Sequence, residues 1–364
     1  MTKDSRISGM KVSERRITVG LDLGDREAHY AILVDDEAEL MAEGTVALTL
    51  TELRRLFGDE PGWRIALEAG TQSAWVSRAL ADMEHEVLVA NPREVALVFR
   101  SNRKNDRLDA VKLARLARFE PALLHPIRHR GEQAQMDLVV LRGREQFVKA
   151  RTAMINCVRA QVKGVGEQLP RCSADAFARV VRDLIPEGLR PGLLPLVNQI
   201  GQLTQQVKAS DKRIARLSLE RYPETRLLRQ VRGVGPVTAL AYILTIEDPE
   251  RFTKSRDVPA YLGLVPRQDD SGAHKSQLGI SKAGDELVRR LLNQCAHYIL
   301  GPFGEDSDLR RWGLGLAGEG KNNKLKRRAV TAVMRKLAVL LHRLWVTGEV
   351  YDPLRWTKLR GAAA

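Results

Sequence analysis

The chain has 364 residues, of which 44% are hydrophobic and 29% are charged, a composition that is typical of globular domains and excludes a disordered chain. Lys and Arg number 59 against 45 Asp and Glu, so the formal net charge of +14 fits either a polyanionic partner or a basic protein whose charge only maintains its solubility. The three cysteines lie too far apart for the usual zinc motifs or a disulfide framework. Because the sequence has neither a signal-peptide pattern nor an apolar run of about twenty residues, we expect a cytoplasmic protein without a membrane span.

The first third of the sequence has the pattern of an α/β domain. β-Branched and alternating residues predict five strands, at Ile17–Gly24, Ala28–Val34, Met41–Leu50, Arg64–Glu68 and Glu86–Ala90. Amphipathic periodicity predicts helices at Thr71–Met83 and Arg93–Phe119, and the second of them is broken near Ser101–Asn105. Three strands followed by helix, strand, helix, strand and helix predict a mixed sheet.

The rest of the sequence is mainly helical. The middle third predicts helices at Glu132–Leu169 and Leu193–Arg221, with a connection at Ile185–Pro195. Steps of three and four residues mark a coiled-coil seam, which consists of Ile200, Leu203, Val207, Ser210, Ile214 and Leu217. This pattern fits both a helical spacer that packs on itself and a dimerisation element. The last third begins near Arg226 and ends in a basic helical segment at Lys321–Trp345.

Four acidic residues are candidates for a metal-binding catalytic site. Asp22 lies among apolar residues in the first strand, and Glu68 ends the fourth strand. Asp106 and Asp109 are three residues apart, so on a helix they share one face. Phosphodiester chemistry with magnesium needs such converging carboxylates, although each acid alone is more typical of a solvated face or a helix cap. Their order along the chain is that of RNase H-like nucleases, including the RuvC junction resolvase.

The acids and their neighbours resemble a known family. Residues 16–127 are similar to the RuvC-like domain of the DEDD transposases of bacterial insertion sequences, the IS110 type, and FRSNRKNDRLDAVKLARLA at 99–117 resembles that family's characteristic segment. Residues 228–292, which begin LRQVRGVGPVTAL, closely resemble the family's transposase domain. The resemblance implies an RNase H-like α/β domain, a helical coiled-coil middle and a mostly helical transposase domain with a helix-hairpin-helix-like motif. The expected division is an N-terminal extension at 1–15, a RuvC-like domain at 16–127, a helical linker at 128–225, a transposase domain at 226–348 and a tail at 349–364.

The resemblance also implies a site-specific recombinase that moves an insertion sequence between DNA sites. The acids Asp22, Glu68, Asp106 and Asp109 would hold Mg²⁺, and a serine of the transposase domain would attack DNA and form a covalent phosphoserine link. A structured guide RNA, the bridge RNA, would pair with target and donor DNA. The active form would be a homo-oligomer, a dimer or a tetramer, in which the RuvC-like domain of one subunit meets the transposase domain of another.

Three serines of the matched stretch are candidates for the nucleophile. Ser271, in DDSGAHK, aligns with the family's Ser-Gly motif, and we predict it as the nucleophile, although the same residues are also ordinary turn chemistry. Ser276 is a second candidate, and Ser281 resembles a helix cap. The acids Asp269 and Asp270 fit either metal binding or a loop.

Glycines and basic residues predict contacts to nucleic acid. Gly233 and Gly235 resemble the hairpin of a helix-hairpin-helix motif, where backbone N–H groups approach a phosphate, but they also fit an ordinary helix connection. The predicted basic contacts are Arg100, Arg103, Lys104, Arg107, Lys275, Lys282, Lys324, Lys326, Arg327 and Arg328. A charge run of this kind is otherwise typical of a solvated face.

Two other functions fit parts of the pattern. A structure-specific endonuclease, such as a junction resolvase, would use the four acids with water as the nucleophile, but it would not need the second domain. A catalytically silent nucleic-acid-binding protein on an RNase H-like scaffold would not need the acids. A covalent protein–DNA adduct would separate the recombinase from both.

Overall fold

The computed structural model describes residues 16–34, 39–98, 106–267, 270–271, 274–275, 278–318 and 322–361. The chain divides into two compact units, of which the first ends at Arg130 and the second begins at Gly131. The finer domain boundaries given above remain predictions. Within the described ranges, no helix is both long enough and apolar enough to cross a membrane.

A mixed sheet forms the centre of the first unit. Its strands are β1 (Ile17–Leu23), β2 (Glu27–Val34), β3 (Glu39–Ala47), β4 (Arg64–Glu68) and β5 (Glu86–Ala90). They lie in the order β3-β2-β1-β4-β5. β2 is antiparallel to both β1 and β3, whereas β4 is parallel to β1 and β5 is parallel to β4. The helices of this unit are α1 (Leu50–Phe57), α2 (Ser73–Ala81), α3 (Pro92–Val98) and α4 (Asp106–Phe119). The predicted mixed sheet is therefore confirmed.

Side chains alternate across β1 and β4, so each strand contributes to both faces of the sheet. Odd-numbered residues such as Leu21 and Leu67 are fully buried in the core that contains apolar residues of α1 and α2. The even-numbered Ala66 belongs instead to the core on the other face, where it packs with Ala117 of α4. Any even-numbered polar residue of these two strands therefore lies on the α4 side of the sheet.

Two boundaries in the first unit depend on local chemistry. β3 ends at Ala47, three residues before its predicted end, because Thr49 caps α1 and accepts a hydrogen bond from the backbone N–H of Glu52 at 3.3 Å. The pattern that predicted one broken helix up to Phe119 forms α3 and α4. The predicted break at Ser101–Asn105 lies outside the described residues.

The second unit is mainly helical. Its helices are α5 (Glu132–Gly164), α6 (Phe177–Val181), α7 (Arg190–Glu220), α8 (Thr225–Leu228), α9 (Pro236–Ile246), α10 (Val258–Tyr261), α11 (Glu286–Leu300), α12 (Asp308–Ala317), α13 (Asn323–Thr347) and α14 (Arg355–Gly361). A short antiparallel hairpin consists of β6 (Asp270–Ser271) and β7 (His274–Lys275). The largest apolar core of this unit surrounds α9, whose residues from Thr238 to Ile246 are all buried.

The helices α5 and α7 pack side by side in opposite directions, as the ion pair between Arg144 and Asp211 at 2.5 Å illustrates. Four residues of the predicted seam are buried, namely Ile200, Leu203, Val207 and Ile214. The other two, Ser210 and Leu217, are half-buried. α5 ends at Gly164 and not at Leu169 as predicted; Gly166, just beyond it, has φ +86°, a conformation that favours glycine.

The prediction that the connection extends to Pro195 is wrong, because α7 already begins at Arg190. A proline at this point removes one backbone hydrogen bond, the one to the carbonyl of Pro191. The buried side chains of Leu193 and Val197 lie on either side of Pro195 and hold this turn in the apolar core. Packing thus outweighs the local preference for a helix boundary.

Candidate active site

Asp22 and Glu68 occupy matching positions at the ends of two adjacent parallel strands. Leu21 pairs with Leu67 in the β1–β4 ladder, and each acid is the next residue of its strand. Adjacent strands are about 4.8 Å apart, and matching residues of parallel strands face the same side, so both acids lie on the α4 side of the sheet. Both side chains are half-buried. The structure therefore brings these two predicted acids together.

The first turn of α4 lies at the same end of the sheet. Arg118, near the other end of α4, donates hydrogen bonds to carbonyl oxygens at the start of β1 and at the end of β2. Further along β1, a β-carbon at Gly20 would lie only 2.0 Å from the carbonyl oxygen of Ala110 in the second turn of α4. The close packing of α4 on β1 therefore requires glycine. α4 therefore runs antiparallel to β1, and its first turn is near the strand end that carries Asp22.

That first turn contains the other two predicted acids. Asp106 is the first residue of α4, one turn before Ala110, and its side chain lies outside the described part of the chain. The Asp109 side chain is 31% exposed and accepts a hydrogen bond from Nζ of Lys112 at 2.9 Å. Asp109 thus has a cationic neighbour on its own helix.

The acids present suit a divalent cation in their chemistry, because hard carboxylate oxygens are the ligands that Mg²⁺ prefers. Asp22 and Glu68 also suit it in position, since they share one face at one end of the sheet. Among the side chains that the structure describes, however, no three of His, Cys, Asp or Glu come close enough to hold a metal ion. The structure therefore describes two neighbouring acids, Asp22 and Glu68, with the first turn of α4 at the same end of the sheet.

The basic residues beside the acid pair are only partly described. Arg107 is exposed and forms an ion pair with Glu43 of β3, with Nε 2.8 Å from Oε2. Arg100, Arg103 and Lys104 lie outside the described residues. The predicted nucleic-acid contacts of all four remain predictions.

In the second unit, Ser271 lies in the hairpin of β6 and β7. It pairs with His274, and Asp270 pairs with Lys275, while the side chains of these residues lie outside the description. The hairpin extends from a bridged base, where the backbone N–H of Arg267 donates to the carbonyl of Gly279 at 3.0 Å. Ser271 therefore lies in the first strand of a short hairpin. The other predicted residues of this loop, Asp269 and Ser276, lie outside the described ranges.

Ser281 does not cap the following helix, contrary to the prediction. The N-cap of α11 is Asp285, whose Oδ1 accepts a hydrogen bond from the backbone N–H of Val288 at 3.1 Å. Ser281 instead donates its backbone N–H to the carbonyl of Val265 and so belongs to the base of the hairpin. Lys282, the next residue, is exposed and has φ +57°.

The predicted phosphate-binding glycines lie in the turn between α8 and α9. Gly233 has φ +93°, and a β-carbon there would lie 2.6 Å from the ring of Tyr298, so both conformation and space require glycine. Gly235 is the exposed N-cap of α9, and Pro236 is its first residue. This geometry fits a helix-hairpin-helix turn, and the phosphate contact stays a prediction.

A groove of about 1920 Å³ crosses the second unit. Its basic lining residues are Arg256, Arg267, Lys282, Arg311, Lys324, Arg327, Arg328, Arg335, Lys336, Arg343 and Arg355. Lys282, Lys324, Arg327 and Arg328 were predicted from the sequence to contact nucleic acid, whereas Lys326, also exposed on α13, does not line the groove.

Sequence reasoning missed the rest of this groove. Arg256, Arg311 and Trp356 are far apart along the chain, so no local motif joins them. One signal was present: Arg335 lies in the predicted basic segment Lys321–Trp345, seven residues after Arg328 and on the same helix face.

Comparison with known proteins gives the same family at both ends of the chain. Residues 19–166 match a model of IS110-type DEDD transposases, and residues 225–304 match the model of the transposase IS116/IS110/IS902 family. A putative transposase of Sinorhizobium fredii is 31% identical over 312 residues, which cover 84% of this chain and 78% of the relative. The transposase for insertion sequence element IS1328 of Yersinia enterocolitica is 28% identical over 337 residues, or 90% of this chain and 95% of the relative. The transposase for IS1111A of Coxiella burnetii is 29% identical over 301 residues, or 79% of each chain.

The two matched segments contain all the residues that the sequence singled out for chemistry. The four acids lie in the first segment, and Ser271 lies in the second. DEDD transposases use a divalent metal ion, which agrees with the chemistry of Asp22 and Glu68. The chain therefore belongs to the IS110 family of insertion-sequence transposases and is an enzyme that transfers DNA strands.

Proposed function

We propose that this transposase cuts and rejoins DNA through a covalent phosphoserine link at Ser271, that its first unit is an RNase H-like domain, and that a guide RNA selects the DNA sites. The observation that carries the proposal is the matched position of Asp22 and Glu68 on adjacent strands, with the acid-bearing turn of α4 at the same end of the sheet. The five-stranded mixed sheet with a carboxylate on its central strand supports the RNase H-like assignment.

The acids Asp22, Glu68, Asp106 and Asp109 would hold Mg²⁺. When bound, Mg²⁺ supplies positive charge beside the attacked phosphate and the leaving oxygen. The sheet fixes the backbone of Asp22 and Glu68, and the packing of α4 at Gly20 fixes the approach of Asp109. Rigid strands and a tightly packed helix are suited to hold carboxylates in one geometry.

Ser271 would supply the nucleophile. Its hydroxyl oxygen forms a bond to a DNA phosphorus while one phosphorus–sugar oxygen bond breaks, and the serine proton ends on the released sugar hydroxyl. One phosphate ester replaces another, so the sugar hydroxyl of a second DNA end can reverse the exchange and rejoin a strand. The position of Ser271 in a short hairpin supports this role, because reactive residues often lie on loops and turns that a rigid scaffold positions.

Guidance by RNA and assembly into a dimer or tetramer complete the proposal. Both rest on the resemblance to the family that the sequence shows, and the net charge of +14 supports nucleic-acid partners. Light scattering of the protein with and without an RNA transcribed from the flanking DNA of the element measures the assembly. A recombination assay with and without the same RNA measures its guidance. A monomer that recombines DNA without this RNA would contradict this part.

The covalent link is tested by trapping. The full chain is incubated with MgCl₂, guide RNA and labelled DNA ends, and DNA-linked protein is isolated in denaturant and mapped by mass spectrometry. Ser271→Ala should lose the adduct and strand exchange, yet keep RNA and DNA binding. Ser276→Ala is the matched control and should keep the adduct. A phosphodiester on another residue, or cleavage by water without an adduct, would refute Ser271 as the nucleophile.

The metal ligands are tested separately. Asp22→Asn, Glu68→Gln and Asp109→Asn each remove a charged oxygen ligand, so recombination should fall at least a hundredfold while thermal stability and DNA binding persist. Asp59→Asn, on the loop after α1, is a control with the same chemical change. Full activity of Asp109→Asn would remove that residue from the site.

A further inference from the structure

The groove of the second unit has a long basic wall that one helix supplies. On α13, the residues that line it follow one face at steps of three and four, namely Lys324, Arg328, Thr331, Arg335, Val339 and Arg343. At 1.5 Å per residue this stripe is about 28 Å long. The opposite face of α13 is buried in the apolar core, for example at Val333 and Leu337. This packing prevents the helix from rotating and keeps the stripe facing the groove.

The groove has a strong positive charge because, among the described residues, only two acids, Asp308 and Asp352, line it beside eleven Lys and Arg residues. Asp308 accepts hydrogen bonds from the backbone N–H of Trp356 at 2.7 Å and from the hydroxyl of Thr357 at 2.5 Å. Asp352 forms an ion pair with Lys358 at 2.9 Å. Both carboxylates thus bind residues of α14, and neither forms an ion pair with a basic residue of the α13 stripe.

Within the described part of the chain, several groove cations have no acidic partner. Arg256, Arg267, Lys324, Arg327 and Arg335 are exposed and form no ion pair with a described acid. Such a row of uncompensated charges attracts a polyanion with regularly spaced phosphates.

Trp356 adds an exposed aromatic surface to the groove. Its side chain is 59% exposed, although its backbone is held by the bond to Asp308. The other groove tryptophan, Trp312, is half-buried, and Nζ of Lys336 lies 3.7 Å from its ring centre, so a cation already covers one of its faces. An exposed indole beside a basic stripe is typical of surfaces that stack unpaired bases.

One wall of the groove continues into the hairpin that carries Ser271. Arg267 and Gly279 both line the groove, and their backbone hydrogen bond forms the base of that hairpin. A strand that lies in the groove therefore extends towards Ser271 along the same wall.

We propose that this groove binds an unpaired DNA strand, with phosphates on the α13 stripe and a base stacked on Trp356, and presents it to the Ser271 hairpin. The choice of DNA rests on the proposed function, since Ser271 attacks DNA there. The choice of an unpaired strand rests on Trp356, because the bases of a duplex are stacked on each other and do not offer a free face to an indole.

The test measures binding in a protein that cannot form the covalent link. Full-length Ser271→Ala protein is titrated into labelled single-stranded DNA of about twelve nucleotides, into the matching duplex and into RNA of the same sequence, and fluorescence anisotropy is recorded over a range of salt concentrations. Trp356→Ala should weaken binding of single-stranded DNA about 5- to 100-fold and of duplex much less, while Trp356→Phe should keep most of the affinity. Arg335→Gln should reduce the slope of log affinity against log salt for the single strand by about 0.7.

Arg213→Gln is the matched control, because Arg213 is an exposed arginine of a long helix in the same unit and does not line the groove. It should change neither affinity nor slope. Thermal unfolding checks that each variant is folded. If Trp356→Ala is unstable, the separate variants Trp356→Phe and Arg335→Gln still test the proposal. Equal losses for duplex and single strand, a larger loss for RNA, or an unchanged Trp356→Ala would overturn the proposal. Since the assay involves no chemistry, these results are independent of whether an adduct forms on Ser271.

Discussion

Asp137 is a buried carboxylate near the start of α5, and three neighbours bind it. Arg221 donates to both of its oxygens at 2.7 and 2.6 Å, the hydroxyl of Tyr222 donates at 2.7 Å, and Gln133 donates at 3.3 Å. Burial by itself raises the pKa of Asp137, but these hydrogen bonds outweigh burial, so the pKa lies below its ordinary value. Burial and the bond to Asp137 together raise the pKa of the Tyr222 hydroxyl. The cluster joins the start of α5 to the end of α7.

The variant Asp137→Asn should lower the melting temperature by about 4–8 °C near neutral pH, since a hydrogen-bonded charge contributes roughly 2 kcal/mol and a unit of this size changes by about 2–4 °C per kcal/mol. Because the pKa of Asp137 is depressed in the folded state, its contribution is fully present above the unfolded pKa of about 3.9 and is lost as the pH falls below it. The difference between variant and wild type should therefore shrink below about pH 4. Calorimetry over this pH range measures it.

Glu220→Gln is the control for that experiment, because Glu220 pairs with Arg216 on the surface of α7, where both side chains are exposed. Such a pair contributes little. Near neutral pH the variant should change the melting temperature by less than Asp137→Asn does. An equal effect of the two variants would show that burial of Asp137 is not the cause.

At the scale of elements, the contact between β1 and α4 determines where the acids meet. Gly20→Ala would place a β-carbon 2.0 Å from the carbonyl of Ala110 and should destabilise the first unit by about 1–3 kcal/mol. Because α4 must move, recombination should fall as well. Gly143→Ala is the control: nothing lies within 4 Å of a β-carbon there, and a helical alanine should stabilise by up to about 1 kcal/mol. Thermal unfolding compares the two, and a neutral Gly20→Ala would refute the close packing of α4.

The helix α7 offers a test of packing against propensity. Pro195→Ala should restore the hydrogen bond to the carbonyl of Pro191 and raise the free energy of unfolding by about 1–3 kcal/mol. Pro191→Ala should have little effect, because Pro191 lies in the first turn, where its missing N–H has no helical partner. Denaturant unfolding of both variants measures the difference. A loss of stability in Pro195→Ala would show that α7 does not continue through this position.

At the scale of the whole molecule, each unit has an apolar core of its own. The main core of the first unit includes Leu21 and Leu67, and that of the second includes Leu240 and Leu337. Expressed alone, residues 131–364 should therefore fold into a helical domain that unfolds cooperatively. Circular dichroism and calorimetry measure this. A fragment that melts without a cooperative transition would show that the second unit needs the first.

Much of the fold follows from local pattern. The strands β4 and β5 have the bounds that their apolar runs predicted, and the order of elements in the first unit is as predicted, because periodicity of two or 3.6 residues is a property of short segments. Helix ends were less predictable. Thr49 caps α1 where a strand was expected to continue, and Pro195 lies inside a helix where a connection was expected, since capping bonds and core packing outweigh propensity there.

The sequence alone was sufficient to propose the acids and the serine as candidates, because each lies in a short recognisable segment. Only the tertiary structure placed Asp22 beside Glu68. β1 and β4 are adjacent in the sheet, but β2 and β3 lie between them in the sequence, so their pairing joins segments that are far apart in the chain. The same holds for the groove, where Arg256 and Trp356 meet the basic face of α13. Residue type and spacing can be read from the sequence. The proximity of residues that are distant in the sequence arises only when separate helices and strands bury their apolar faces together.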